Sequence, residues 1–98
     1  MLISLPSLLF AQNNTQNIRG VVTDKLSQTP LTGVVVQIAS IQKSSSSDAN
    51  GNFTLSNIPP DRYDISATFL GYKTITIPNV VVTSGKEVII DIAMEESY

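Results

Sequence analysis

From Asn17 onward, apolar and polar residues alternate in short runs separated by turn-forming residues. Ile18, Gly20 and Val22 fall on one face, with Arg19 and Thr23 on the other. Val34, Val36 and Ile38 alternate with Val35, Gln37 and Ala39, and Phe53 and Leu55 flank Thr54. The clearest run sets Tyr63, Ile65, Ala67 and Phe69 against Asp64, Ser66 and Thr68. Ile75 and Ile77 alternate with Thr74 and Thr76, and Val88, Ile90 and Ile92 with Ile89, Asp91 and Ala93. Successive side chains on a strand point to opposite faces. This period in β-branched and aromatic residues therefore predicts half-buried antiparallel strands.

Breaks fall at Thr29-Pro30, Asp48 to Asn52, Asn57 to Asp61, Gly71, Pro78-Asn79 and Ser84-Gly85. No window carries a helical stripe of useful length. The spacing predicts strands near 18–24, 33–41, 43–47, 52–56, 62–70, 72–77 and 86–94. Six or seven short strands at this regular spacing point to an all-β fold, a small antiparallel β-sandwich. The four serines Ser44 to Ser47 read as a polar, solvent-facing edge strand, the part of the sandwich best placed to contact a docking partner.

The stretch Asp48-Ala49-Asn50-Gly51-Asn52 resembles the start of a calcium loop. Calcium needs several converging oxygen ligands and usually a distal glutamate. Here no acidic residue stands between Asp48 and Asp61. Asp at the head of a turn accepts main-chain N–H bonds, and Asn-Gly supplies positive φ, so the stretch reads as a hairpin. Asp61, Asp64, Glu87 and Asp91 are the candidates for paired-carboxylate chemistry, and they read as solvated strand faces. Tyr63 is expected in the core row, and Tyr72 to pack where Gly71 bends the chain. No catalytic, cofactor or metal residue is assigned.

Composition narrows the chemistry further. The chain of 98 residues is 42% hydrophobic and 14% charged, as suits one small globular domain. A net charge of −2 and six scattered Lys and Arg argue against nucleic-acid binding. With neither His nor Cys, the chain has no Ser-His or Cys-His pair, no ordinary zinc site and no disulfide. Residues 1–11, MLISLPSLLFA, form an apolar run ending in a small residue. They read as the second half of a secretory signal peptide without its basic start, followed by a polar spacer over 12–17 and the domain proper over 18–95. Such a run is too short to span a bilayer, which takes about 20 residues as a helix.

The segments IRGVVTD, PLTGVVVQI, SDANGNFTL and IPPDRYDISATFLGYKT together resemble the carboxypeptidase regulatory-like domain, which implies a transthyretin-like fold, a seven-stranded antiparallel Greek-key β-sandwich. The family pattern falls on Gly20, Val22 and Asp24; on Pro30, Leu31 and Gly33; on Asp48, Gly51 and Phe53; and on Ile58, Pro59, Tyr63, Gly71 and Tyr72. Asp61 stands where the family usually has Gly. In Gram-negative bacteria, domains of this kind commonly extend the N-terminus of TonB-dependent outer-membrane receptors that import glycans.

The resemblance therefore implies a non-catalytic accessory or docking domain, at the periplasmic face of the outer membrane or secreted. The implied partner is the receptor's plug and barrel or a periplasmic protein. Membrane association would come only through the rest of a longer chain, and no cofactor is implied. Two other readings are a free β-sandwich that binds carbohydrate or protein, with Asn50, Asn52, Asn57 and Tyr72 as its test positions, and the accessory domain of a metallocarboxypeptidase. The transthyretin-like hydroxyisourate hydrolases carry histidines and a C-terminal Tyr-Arg-Gly-Ser; this sequence has no histidine and ends in Glu-Ser-Tyr.

Overall fold

A computed structural model describes residues 14–98. The signal-like segment 1–11 and the first part of the spacer lie outside the described residues. Eight strands follow in order: β1 Gln16–Asp24, β2 Val35–Ile38, β3 Lys43–Ser46, β4 Asn52–Ile58, β5 Asp61–Thr68, β6 Ile75–Val82, β7 Val88–Ile89 and β8 Ile92–Met94. They form two sheets. One runs β4-β1-β7, with β8 also on β1; the other runs β3-β2-β5-β6. β2, β3 and β4 follow one another round one edge of the sandwich, and β5 returns beside β2, the order of a Greek key.

Alternation places the core between the sheets. Ile18 and Val22 of β1, Val36 and Ile38 of β2, Phe53, Leu55 and Ile58 of β4, and Ile65 of β5 are almost wholly buried, as are Ile92 and Met94 of β8. Arg19, Val35 and Thr54, at the intervening positions, are exposed. Each large apolar side chain removed from water in this way contributes about 1.5–3 kcal/mol.

Three features depart from the expected pattern. The last strand is split into β7 and β8, and both run parallel to β1 in one register, Ile18 opposite Val88 and Val22 opposite Ile92. The β4-β1-β7 sheet is therefore mixed. Alternation reports which face a residue takes, not the direction of its neighbour. The expected strand 33–41 ends at Ile38, where Ala39–Ile41 form a 3-10 turn closed by Gln42 at φ 55°. The expected break at Pro78-Asn79 lies inside β6. That strand is at a sheet edge, where a residue without an N–H is tolerated. Asn79 takes φ 55° beside the bulge opposite Tyr63–Ile65, and its N–H donates to Asp64 Oδ1 at 3.1 Å.

Candidate functional site

The polar residues singled out in the sequence do not converge on one centre. Asp48 organises the β3–β4 hairpin. Its Oδ1 accepts the N–H groups of Asn50 and Asn52, each at 2.9 Å, and its carbonyl accepts Gly51 N–H at 2.9 Å. Among the described residues, no group of three or more His, Cys, Asp and Glu is placed to hold a metal ion.

The four acids weighed as acid–base pairs are divided between the sheets. On β5, Asp61 Oδ1 accepts Arg62 N–H at 2.7 Å, and Asp64 caps the bulge at Asn79. By the other sheet, Glu87 pairs with Arg19 at 3.0 Å, both side chains substantially exposed. Such a pair adds little to stability. Asp91 is exposed and lines a shallow outer groove with Arg19, Asn52, Thr54 and Ile89.

β3 is an edge strand, and Ser44 and Ser46 face solvent as expected. Ser47 does not. It is buried, its hydroxyl accepts Val34 N–H at 2.9 Å, and it donates to Leu31 O at 2.7 Å. Beside the main-chain bonds that Ser47 makes with Val34 O and Gly33 N–H, the hydroxyl thus satisfies two further groups in the approach to β2, a role invisible in a run of serines. Asn50 lies in the hairpin turn, and Asn52 opens β4. Asn57, near its end, takes φ 59° where β4 carries an extra residue against β1. Tyr63 lies in the core row, its hydroxyl donating to Pro59 O at 2.6 Å. Burial first, then the Asp61 charge, raises its phenol above the usual tyrosine range.

One constellation escaped the sequence reading. At one end of the sandwich, Tyr72 donates its hydroxyl to Asp24 Oδ2 at 2.6 Å, while Asp24 Oδ1 accepts Leu26 N–H at 2.9 Å and Ser27 N–H at 3.0 Å. The bond from Ser27, then that from Tyr72, holds the Asp24 carboxyl below its ordinary range. The same hydrogen bond to Asp24, followed by desolvation, pushes the Tyr72 phenol up to about 12. The Tyr72 ring packs on Phe69, centroids 5.5 Å apart. The C-terminal segment is tied to the same place: Lys73 N–H donates to Glu95 O at 2.9 Å and Ser97 N–H to Gly71 O at 2.8 Å.

Beside this clasp is a cleft of about 160 Å³ lined by Asp24, Leu26, Met94, Glu95 and Tyr98. Leu26 is 83% and Leu70 94% exposed, so the loops here offer apolar contact to solvent. Asp24 spends its oxygens on three donors, an arrangement that fixes loops rather than moves protons. An Asp two and three residues before its amide donors is a readable turn signal. The tyrosine 48 positions further on is not.

The family model for the carboxypeptidase regulatory-like domain matches residues 17–95. The chain belongs to this family. A search of curated proteins found no match. Among solved structures, a chain of a type II cohesin–X–dockerin complex from Acetivibrio cellulolyticus superposes with TM-score 0.71 at 24% identity, over 81% of this chain and 56% of that one. A putative carbohydrate-binding protein from Bacteroides uniformis gives TM-score 0.62 at 13% identity, over 82% and 41%. The minor pilin of Streptococcus agalactiae gives 0.57 at 16%, over 86% and 45%. The chain thus spans about half the length of these structures or less, and the likeness is one of fold.

In this regulatory-like domain, residues that carry the family pattern have structural tasks. Gly20 lies against the Ile90 carbonyl, Asp24 and Tyr72 form the clasp, and Asp48 and Gly51 close the hairpin. Asp61, in place of the family's Gly, does not take positive φ; Asn57 does, at the β4 bulge just before the turn.

Proposed function

We propose that this regulatory-like domain is a non-catalytic accessory and docking module of a TonB-dependent outer-membrane receptor for glycans or other nutrients, working at the periplasmic face. The observation that carries the reading is that the family's pattern residues support the fold, while the polar candidates are dispersed over turns and strand faces. What remains available is surface. Both sheets end in edge strands among the described residues, β3 and β6 on one, β4 and the β7–β8 segment on the other. An extended partner segment can add to such an edge through main-chain hydrogen bonds. The signal-like segment expected before the domain agrees with export from the cytoplasm.

A second reading is a free secreted or surface binding module. It draws on neighbours described as a cohesin–X–dockerin complex, a putative carbohydrate-binding protein and a pilin, and on the exposed Leu26 and Leu70. An immunoblot of fractionated native cells with an antibody against this domain separates the two. The receptor reading expects a band far above 10.6 kDa in the outer-membrane fraction. A band near the domain's own mass, soluble in the periplasm or medium, overturns it in favour of the free module.

A further inference from the structure

Asn50 is the one asparagine in the sequence that precedes glycine; the others precede Asn, Thr, Ile, Phe or Val. Without a side chain on the following residue, the main-chain nitrogen can reach the asparagine amide carbon. The Gly51 nitrogen then bonds to Asn50 Cγ, and the side-chain nitrogen departs as ammonia, taking up the proton that Gly51 loses. Water opens the resulting succinimide at one of its two imide bonds, leaving aspartate or isoaspartate at position 50.

In the folded hairpin the main chain of Asn50 and Gly51 is engaged in hydrogen bonds. Gly51 N–H donates to Asp48 O at 2.9 Å, and Asn50 N–H donates to Asp48 Oδ1 at 2.9 Å. Gly51 O accepts Val22 N–H at 2.8 Å, which anchors the same residue to β1. Gly51 is buried at φ +79°, and a Cβ there would lie 2.6 Å from Val22 O. To bond Asn50 Cγ, the Gly51 nitrogen must give up its proton, and with it the hydrogen bond to Asp48 O. Asn50 itself is exposed, so water has access.

We propose that Asn50-Gly51 is a latent deamidation site gated by the Asp48 turn, closed in the folded hairpin and reactive once the turn opens. Conversion also marks the opening. Isoaspartate routes the main chain through one additional methylene, so Gly51 no longer meets Asp48 and Val22 together. The aspartate product places a second carboxylate beside that of Asp48.

The 98-residue chain is incubated at mildly alkaline pH, native and in urea, and position 50 is followed by peptide mapping with an isoaspartate-specific methyltransferase assay. The native chain is expected to convert at least about tenfold more slowly than the unfolded chain, each factor of ten equal to about 1.4 kcal/mol of opening free energy. Asp48→Ala, which removes the side-chain acceptor, should speed native conversion several-fold. Asp48→Asn, which keeps an oxygen in place, should stay near the native rate. Equal rates in buffer and in urea overturn the proposal, whether or not the variants fold. So does a folded Asp48→Ala chain that converts no faster than the parent.

Discussion

Gly20 is the residue on which the β4-β1-β7 sheet depends most sharply. Its own φ is unexceptional, so conformational freedom is not the reason for glycine. Space is. A Cβ at this position would fall 1.6 Å from the Ile90 carbonyl oxygen and 3.1 Å from the Phe53 ring. The obstacle is backbone, held in turn by the bond from Ile90 N–H to Arg19 O at 2.9 Å. The last strand can move away only by giving up its pairing with β1. Gly20→Ala is therefore expected to cost about 3 kcal/mol, the upper end for overpacking. Gly85→Ala should fall within about 0.5 kcal/mol of the parent, since a Cβ there meets nothing nearer than 4.0 Å. Urea melts of the two variants test the contrast, and similar midpoints would refute it.

β6 shows how an element can be stable against its own local signals. Pro78 and Asn79 look like a break, yet the strand passes through them because its bulge is held from outside by Asp64. Asn tolerates the left-handed conformation better than other residues with a side chain; β-branched residues tolerate it least. Asn79→Gly should thus be close to neutral, while Asn79→Val should cost about 1–2 kcal/mol and lower the melting temperature accordingly. Equal stability of these two variants would mean that the bulge is not what keeps β6 paired.

The same contrast separates what the sequence makes legible from what it hides. Inward rows such as Val34-Val36-Ile38 and Tyr63-Ile65-Ala67 were readable, because burial follows from period-two alternation. The Asp48 turn was readable because its hydrogen bonds are local. The parallel pairing of β7 and β8 with β1, the buried hydroxyl of Ser47 and the Asp24–Tyr72 bond were not. Each depends on segments that meet only after the chain has folded.

Across the whole molecule, Asp24 and Tyr72 link two loops and lie beside the segment that carries the chain past β8, so their ionisation bears on the sandwich as a unit. Asp24 has a folded pKa below its ordinary value of 3.8. Its contribution is complete above the unfolded value and is lost as pH falls through the lower folded one. Tyr72 is raised from 10.0 to about 12. Here the neutral phenol is the form the fold favours, so the contribution is complete below 10.0 and is lost as pH rises through about 12. Tyr63 shifts in the same direction through burial and adds to the alkaline loss. Melting temperature should accordingly hold a plateau between the two ranges and fall at both ends. Tyr72→Phe removes the phenol that titrates and the donor on Asp24 Oδ2, while the amides of Leu26 and Ser27 stay on Oδ1. The variant should be less stable across the plateau, show a shallower alkaline decline and lose its acid stability closer to the ordinary aspartate range. A variant whose melting profile runs parallel to the parent's from acid to alkali would mean that the clasp does not couple these loops.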